Sequence, residues 1–193
     1  MPDSSLTKRA LAQAIKQLMN EKPLVKISIA DIVERCQMNR QSFYYHFRDK
    51  YDLVNWIFYT ELITELQRSS GATEWDVLGS ICRYLYANRS FYINALKFTG
   101  QNSFYEYFGE IIYQLLKVVL ADTFGEGDQS DFSAMFYADA LRACIYRWLT
   151  GGAKLPPDEL VRRILNTLSM DSAHRTAAMS SSARAAISSM PWA

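Results

Sequence analysis

Residues 39–50, which read NRQSFYYHFRDK, combine side chains that can bind nucleic acid with side chains that can fill a protein core. Arginine and glutamine can form paired hydrogen bonds with base edges, whereas tyrosine, histidine and lysine can reach phosphate oxygens. Phe43 and Phe47 lie four residues apart, so on a helix they share one face and leave the polar side chains on the others. The pattern predicts a short helix suited to the major groove of DNA. The candidate DNA-binding residues are Ser28, Asn39, Arg40, Gln41, Tyr44, Tyr45, His46 and Lys50.

A second short helix is predicted directly before this one, over residues 28–36, which read SIADIVERC. Ser28 can cap its first turn, with Asp31 three residues later as the partner of a capping box. Asn39 is a good cap for the helix that follows, so the order is helix, tight turn, helix, as in helix-turn-helix proteins. The turn lacks glycine, so Gln37 or its neighbour must adopt the bend without it.

Residues 5–55 resemble the DNA-binding head of the TetR family of transcriptional regulators, through the run ISIADIVERCQMNRQSFYYHFRDKYDLV. The residues that match the family pattern are Tyr44, Tyr45, His46, Phe47 and Lys50. The resemblance implies that Tyr44 and His46 contact phosphates and that Lys50 contacts the DNA backbone. Gln41 stands where the family often has a small residue, and whether it binds a base or crowds the groove stays open.

The distribution of charge agrees with DNA binding at the N-terminal end. The formal net charge is only +1, but residues 1–50 carry nine Lys or Arg against five Asp or Glu, and residues 51–193 carry twelve against fifteen. Phosphate contacts dominate the affinity of proteins for DNA, so a positive head on a mildly acidic body suits docking through the head. A local excess of this size also occurs without any role in nucleic-acid binding.

Helical periodicity runs through the chain as far as about residue 169 and predicts an all-α fold of about nine helices. We expect a helix-turn-helix domain over residues 1–50, a regulatory and dimerisation domain over 51–170, and a disordered Ala- and Ser-rich tail over 171–193. A helix from Lys50 to about Arg68 would link the head to the body.

The last two predicted helices carry more apolar surface than one neighbour can cover. The segment WLTGGAKLPPDELVRRIL is similar to the end of many TetR-family bodies, where the final helix pair forms a dimer interface. A homodimer would place two heads on a palindromic operator; the alternative is an ordinary core hairpin. The candidate interface residues are Phe136, Leu141, Ile145, Trp148, Leu160, Ile164 and Leu168.

The middle of the chain is rich in aromatic residues that could line an effector cavity or simply fill a core. The candidate lining residues are Trp56, Tyr59, Tyr84, Tyr92, Phe98, Tyr105 and Tyr113. The chain also resembles the branch of the family that regulates dihydroxyacetone kinase operons, mainly through NRQSFYYHFRDKYDLVNWIF. This resemblance implies a sensor that responds to a small metabolite or to a partner protein.

Catalysis, cofactors and membranes have little support in the sequence. The chain has two histidines, His46 and His174, and its three cysteines form no CxxC pair, so neither a metal site nor a catalytic group is expected. No dinucleotide or P-loop motif occurs. We expect a cytoplasmic protein without signal peptide, membrane span or cofactor, which is not an enzyme.

Two classes of function therefore compete. The favoured one is a dimeric, effector-controlled transcriptional regulator that binds double-stranded DNA. Repression is the commoner behaviour of the family, although activation requires the same head. The alternative is a helical adaptor whose head binds a protein instead of DNA.

Overall fold

The computed structural model describes residues 4–68, 74–124 and 127–167. These ranges contain no strand and nine α-helices, which confirms the predicted all-α fold. The helices are α1 (Ser4–Glu21), α2 (Ile29–Arg35), α3 (Arg40–His46), α4 (Lys50–Arg68), α5 (Glu74–Ala87), α6 (Arg89–Leu96), α7 (Phe104–Phe124), α8 (Asp128–Thr150) and α9 (Pro157–Thr167). A 3-10 turn, Leu24–Lys26, lies between α1 and α2. The predicted tail and Leu168 lie outside the described residues.

The chain divides into two compact units. The first comprises the described residues of Met1–Tyr59 and Ser90–Glu106, and the second those of Thr60–Arg89 and Tyr107–Ala193. The first unit therefore extends beyond the boundary predicted at residue 50. The part of this unit beyond residue 50 has an aromatic core. Tyr92 of α6 is fully buried, and its ring centroid lies 5.7 Å from that of Phe58 and 4.9 Å from that of Phe104. Local periodicity cannot reveal such packing between distant segments.

Helix α1 supports the two short helices of the head through a regular apolar face. The buried residues of α1 recur at the helical spacing of three and four; they are Leu11, Ala14, Ile15, Leu18 and Met19. Helix α1 packs against both α2 and α3. Helix α2 buries Ile32 and Val33. The burial of these faces fixes the two short helices, which are too short to be stable alone in water.

The turn between α2 and α3 is closed by two backbone hydrogen bonds. Met38 N donates to Val33 O at 2.8 Å, and Gln37 N donates to Glu34 O at 3.1 Å. This is the pattern that ends many helices when the residue after the cap is left-handed. Gln37 has φ 55°, so the bend predicted for Gln37 or its neighbour is made by Gln37 itself.

A Gln37→Gly variant should be more stable than the wild type by about 0.5–1 kcal/mol, because glycine adopts positive φ without the steric cost that a side chain incurs. Chemical denaturation followed by circular dichroism would measure the change. Gln17→Gly is the matched control: Gln17 is exposed within α1, where glycine should lower stability by about 1 kcal/mol. Equal loss of stability in both variants would contradict the argument.

In the second unit, α5 packs against α8 and α9. The Arg83 Nη1 and Asp158 Oδ1 atoms lie 2.6 Å apart between α5 and α9, and the Tyr86 ring stacks on Trp148 of α8 with centroids 5.9 Å apart. Most of the predicted interface residues are buried within a single chain, while Phe136 is 60% exposed. The buried ones are Leu141, Ile145, Trp148, Leu160 and Ile164.

Candidate nucleic-acid interface

Helix α3 has one exposed polar face and one buried aromatic face. Arg40 and Gln41 are exposed in its first turn, and Tyr44 and Tyr45 are 58% and 83% exposed. His46, at the end of the helix, is half-buried with its ring centroid 4.8 Å from that of Tyr45. The predicted base-binding and phosphate-binding side chains of α3 therefore lie on its accessible surface.

The opposite face anchors α3 in the head. Phe43 is fully buried and Phe47 is 4% exposed, and their ring centroids lie 5.9 Å apart. Phe47 also meets Trp56 of α4 edge to face, with centroids 5.7 Å apart. These aromatic contacts hold the short helix against α4 and the rest of the head.

Both short helices begin at capped N-termini. The Ser28 hydroxyl accepts a hydrogen bond from Asp31 N at 3.1 Å, and the Asp31 carboxylate accepts one from Ser28 N at 2.8 Å, so the predicted capping box is present. The Asn39 side chain accepts from Ser42 N at 2.8 Å. Ser28 and Asn39 are both exposed, yet each already uses its side-chain oxygen within the protein.

The carboxylate of Asp31 has a second partner, the ammonium of Lys22, at 3.0 Å. The backbone N–H of Ser28, then the Lys22 ammonium and the Ser28 hydroxyl, lower the pKa of Asp31 to about 2. Asp31 is therefore ionised at neutral pH, and it links the first turn of α2 to Lys22, the residue that follows α1.

Lys50 lies where the resemblance implies a contact with the DNA backbone, but its ammonium is hydrogen-bonded within the head. It donates to the carbonyl oxygens of Leu24, Val25 and Ile27 at 2.8, 3.2 and 2.7 Å. Burial lowers the pKa of Lys50, while the carboxylates of Asp49 and Asp31 raise it. Three bonds use all the donors of an ammonium, so a phosphate contact by Lys50 would require one of them to break.

Lys8 of α1 is a neighbour of the candidate interface that sequence reasoning missed. Its Nζ lies 5.8 Å from the ring centroid of Trp56. Burial lowers the pKa of His46, and the charge of Lys8 lowers it further. No local pattern could have placed Lys8 beside α3, because the two are separated by more than thirty residues of sequence.

The predicted cavity residues are divided between the two units. Trp56, Tyr59, Tyr92, Phe98 and Tyr105 belong to the first unit, whereas Tyr84 and Tyr113 belong to the second. In the first, Phe98 stacks on Tyr51 with centroids 4.2 Å apart. In the second, the Tyr84 hydroxyl donates to the Glu61 carboxylate.

Neither a metal site nor a membrane span emerges from the parts of the chain that the structure covers. Among the described residues, no three or more His, Cys, Asp or Glu side chains are placed to hold a metal ion. Within the same ranges, no helix combines the length and apolar character that crossing a bilayer requires.

Two family models match the chain. Residues 11–57 match bacterial regulatory proteins of the tetR family, and residues 73–170 match a transcriptional regulator C-terminal region. The second match alone covers about half of the chain, and the first includes the whole helix-turn-helix described above.

A curated relative and a solved structure are similar to this chain. The HTH-type dhaKLM operon transcriptional activator DhaS of Lactococcus lactis subsp. lactis (strain IL1403) is 32% identical over 93 residues, which are 48% of this chain and 50% of that protein. The chain thus matches about half the length of this relative. A structure named dihydroxyacetone kinase operon activator DhaS aligns with a TM-score of 0.62 and 26% identity, over 84% of this chain and 94% of its own. With its helix-turn-helix and both family matches, the chain belongs to the TetR family of transcriptional regulators.

Proposed function

We propose that this chain is a dimeric, sequence-specific regulator in which α3 enters the major groove of a palindromic operator. The observation that carries the proposal is the division of α3 into a buried face and an exposed one. Arg40 and Gln41 would bind base edges, while Tyr44, Tyr45 and His46 would bind phosphates on either side. The side-chain oxygens of Ser28 and Asn39 already accept hydrogen bonds from the first turns of α2 and α3. Any contact of these two residues with DNA would therefore lie at the N-terminal ends of the two helices.

A salt titration distinguishes DNA binding from the alternative of a protein-binding adaptor. The probe is the duplex that the wild-type chain enriches from a random 30-base-pair library. The association constant of the chain for this duplex should fall steeply as salt is added, with its logarithm linear in the logarithm of the salt concentration, because phosphates that the protein binds release counterions. Failure to enrich any duplex, or an affinity independent of salt, would contradict the proposal.

An exposed apolar surface on α8 supports dimerisation. Phe132, Met135 and Phe136 are 58%, 51% and 60% exposed. Their spacing places them on one side of the helix, and three large apolar side chains together are a favourable site for a second copy. We propose that the interface is centred on these residues, with Phe136 shared with the prediction from sequence.

A Phe136→Glu variant should therefore be monomeric at concentrations where the wild type is a dimer, because the change places a charge in an apolar interface. Sedimentation velocity would measure the change. Leu6→Glu is the matched control, since Leu6 of α1 is 59% exposed but lies in the first unit. A wild type that stays monomeric, or a Phe136→Glu variant that remains dimeric, would refute the proposed interface.

The relatives' names bear on the direction of regulation. Both are named activators, and the solved structure is named for a dihydroxyacetone kinase operon. These names support activation here, against the sequence-based preference for repression. We propose activation, under control of a small molecule or a partner protein. In a reporter assay with the enriched duplex upstream of a promoter, the chain should raise transcription, and lowered transcription would identify a repressor.

A further inference from the structure

The connection between α1 and α2 is held by side chains from two distant helices. This connector, residues 22–27, includes Pro23 and the 3-10 turn. In a continuing helix the carbonyl of Met19 would accept a hydrogen bond from the N–H of residue 23, but proline has none. The Asn94 Nδ2 of α6 supplies the missing donor, at 2.8 Å from Met19 O, and also donates to Lys22 O at 3.1 Å.

The oxygen of the same Asn94 amide also binds the connector. Asn94 Oδ1 accepts a hydrogen bond from Leu24 N at 2.9 Å. One half-buried side chain thus bonds a carbonyl oxygen in the last turn of α1 and both a carbonyl oxygen and an N–H of the connector. Aspartate offers no donor for the carbonyls, and an apolar side chain would leave all three backbone groups without this partner.

Lys50 of α4 holds other backbone atoms of the same connector. Its ammonium donates to the carbonyl oxygen of Leu24, the residue whose N–H donates to Asn94, and also to the carbonyl oxygens of Val25 and Ile27. The side chain of Leu24 is 1% exposed, so the residue is fixed by its core contact as well. The connector leads directly to Ser28, the cap of α2, and α2 packs against α3.

We infer that Asn94 is a positioning residue for DNA recognition, which fixes the connector and thereby the orientation of α2 and α3 on α1. The inference rests on the proposed function. It gives a role in DNA recognition to a residue of α6 that lies far along the chain from the helix-turn-helix. Hydrogen bonds to base edges require side chains to be placed within about 0.5 Å, whereas attraction to phosphates tolerates displacement. Loss of the Asn94 amide therefore weakens the preference for a sequence more than the affinity for DNA in general.

The test compares two variants on two duplexes. Asn94→Ala removes all three bonds, and Asn94→Asp keeps the size and the acceptor but removes both donors. Asn88→Ala is the matched control, because Asn88 is also half-buried and its amide donates to Tyr84 O within its own helix turn. The probes are the duplex enriched by the wild type and a scrambled duplex of the same composition, with folding checked by circular dichroism.

For both Asn94 variants the affinity for the enriched duplex should fall about tenfold, the loss expected for one misplaced base contact. The affinity for the scrambled duplex should change less than about twofold, because it depends on phosphate contacts. The affinities of Asn88→Ala for the enriched and the scrambled duplex should equal those of the wild type. Equal losses on the two duplexes, unchanged binding, or unfolding of both variants would overturn the inference. A wild type without preference between the duplexes would instead refute the proposed function, and the inference with it.

Discussion

An Arg40→Ala variant should bind the enriched duplex about 10- to 100-fold more weakly than the wild type, the effect expected when one bidentate contact to a base is lost. Arg40 is exposed in the first turn of α3, the part of a recognition helix that contacts base edges. A repeat of the enrichment with the variant should also show relaxed preference at one position of each half-site. Fluorescence anisotropy would measure the affinity.

Arg162→Ala is the control for the loss of a positive charge. Arg162 is exposed on α9 and pairs with Glu159 on the same helix. Its removal should leave both the affinity and the sequence preference unchanged. If Arg40→Ala behaves like Arg162→Ala, Arg40 does not bind a base.

A Phe43→Ala variant should lose about 3–5 kcal/mol of stability, the range typical of a buried phenylalanine truncated to alanine. Phe43 is fully buried and its ring contacts those of Tyr44 and Phe47. The loss is a large share of the stability of an ordinary domain. Denaturant unfolding followed by circular dichroism would measure it, and DNA binding should be lost as the head unfolds.

Tyr45→Ala gives the matched contrast two residues along the same helix. Tyr45 is 83% exposed, so its truncation should change stability by less than about 0.5 kcal/mol. It should nevertheless weaken DNA binding, because the proposed phosphate contact is lost. Comparable losses of stability in the two variants would contradict the division of α3 into a buried and an exposed face.

The helix-turn-helix could be predicted because its determinants are local. Ser28 with Asp31, and Asn39 with Ser42, lie within one turn of each other, so capping rules identify both helix starts. The spacing of Phe43 and Phe47 identifies the buried face in the same way. The sequence assigned the bend only to Gln37 or its neighbour, and the left-handed backbone of Gln37 comes from the structure.

Features that depend on distant pairs could not be predicted. Asn94 and Lys50 meet the connector across more than twenty residues of sequence, and nothing near either residue reveals the backbone groups that they bond. Lys50 is an example of the difference: the resemblance implies a contact with DNA, whereas the structure gives all three of its donors to carbonyl oxygens.

Helix α8 shows a limit of periodicity. Its apolar residues extend over more than one face, so their spacing alone does not separate the buried side chains from the exposed ones. The structure separates them by burial: Leu141 and Ile145 are 5% and 0% exposed, whereas Phe132 and Phe136 remain accessible. The interface residues predicted from sequence accordingly include both buried side chains and the exposed Phe136.

Methylation interference on the enriched duplex tests most directly the claim that α3 enters the major groove. Methyl groups on guanine N7 project into the major groove, whereas those on adenine N3 project into the minor groove. We predict that N7 methylation blocks binding in two symmetric clusters about 34–36 Å apart, one for each head of the proposed dimer. Interference confined to adenine N3, or absent at every guanine, would contradict the account.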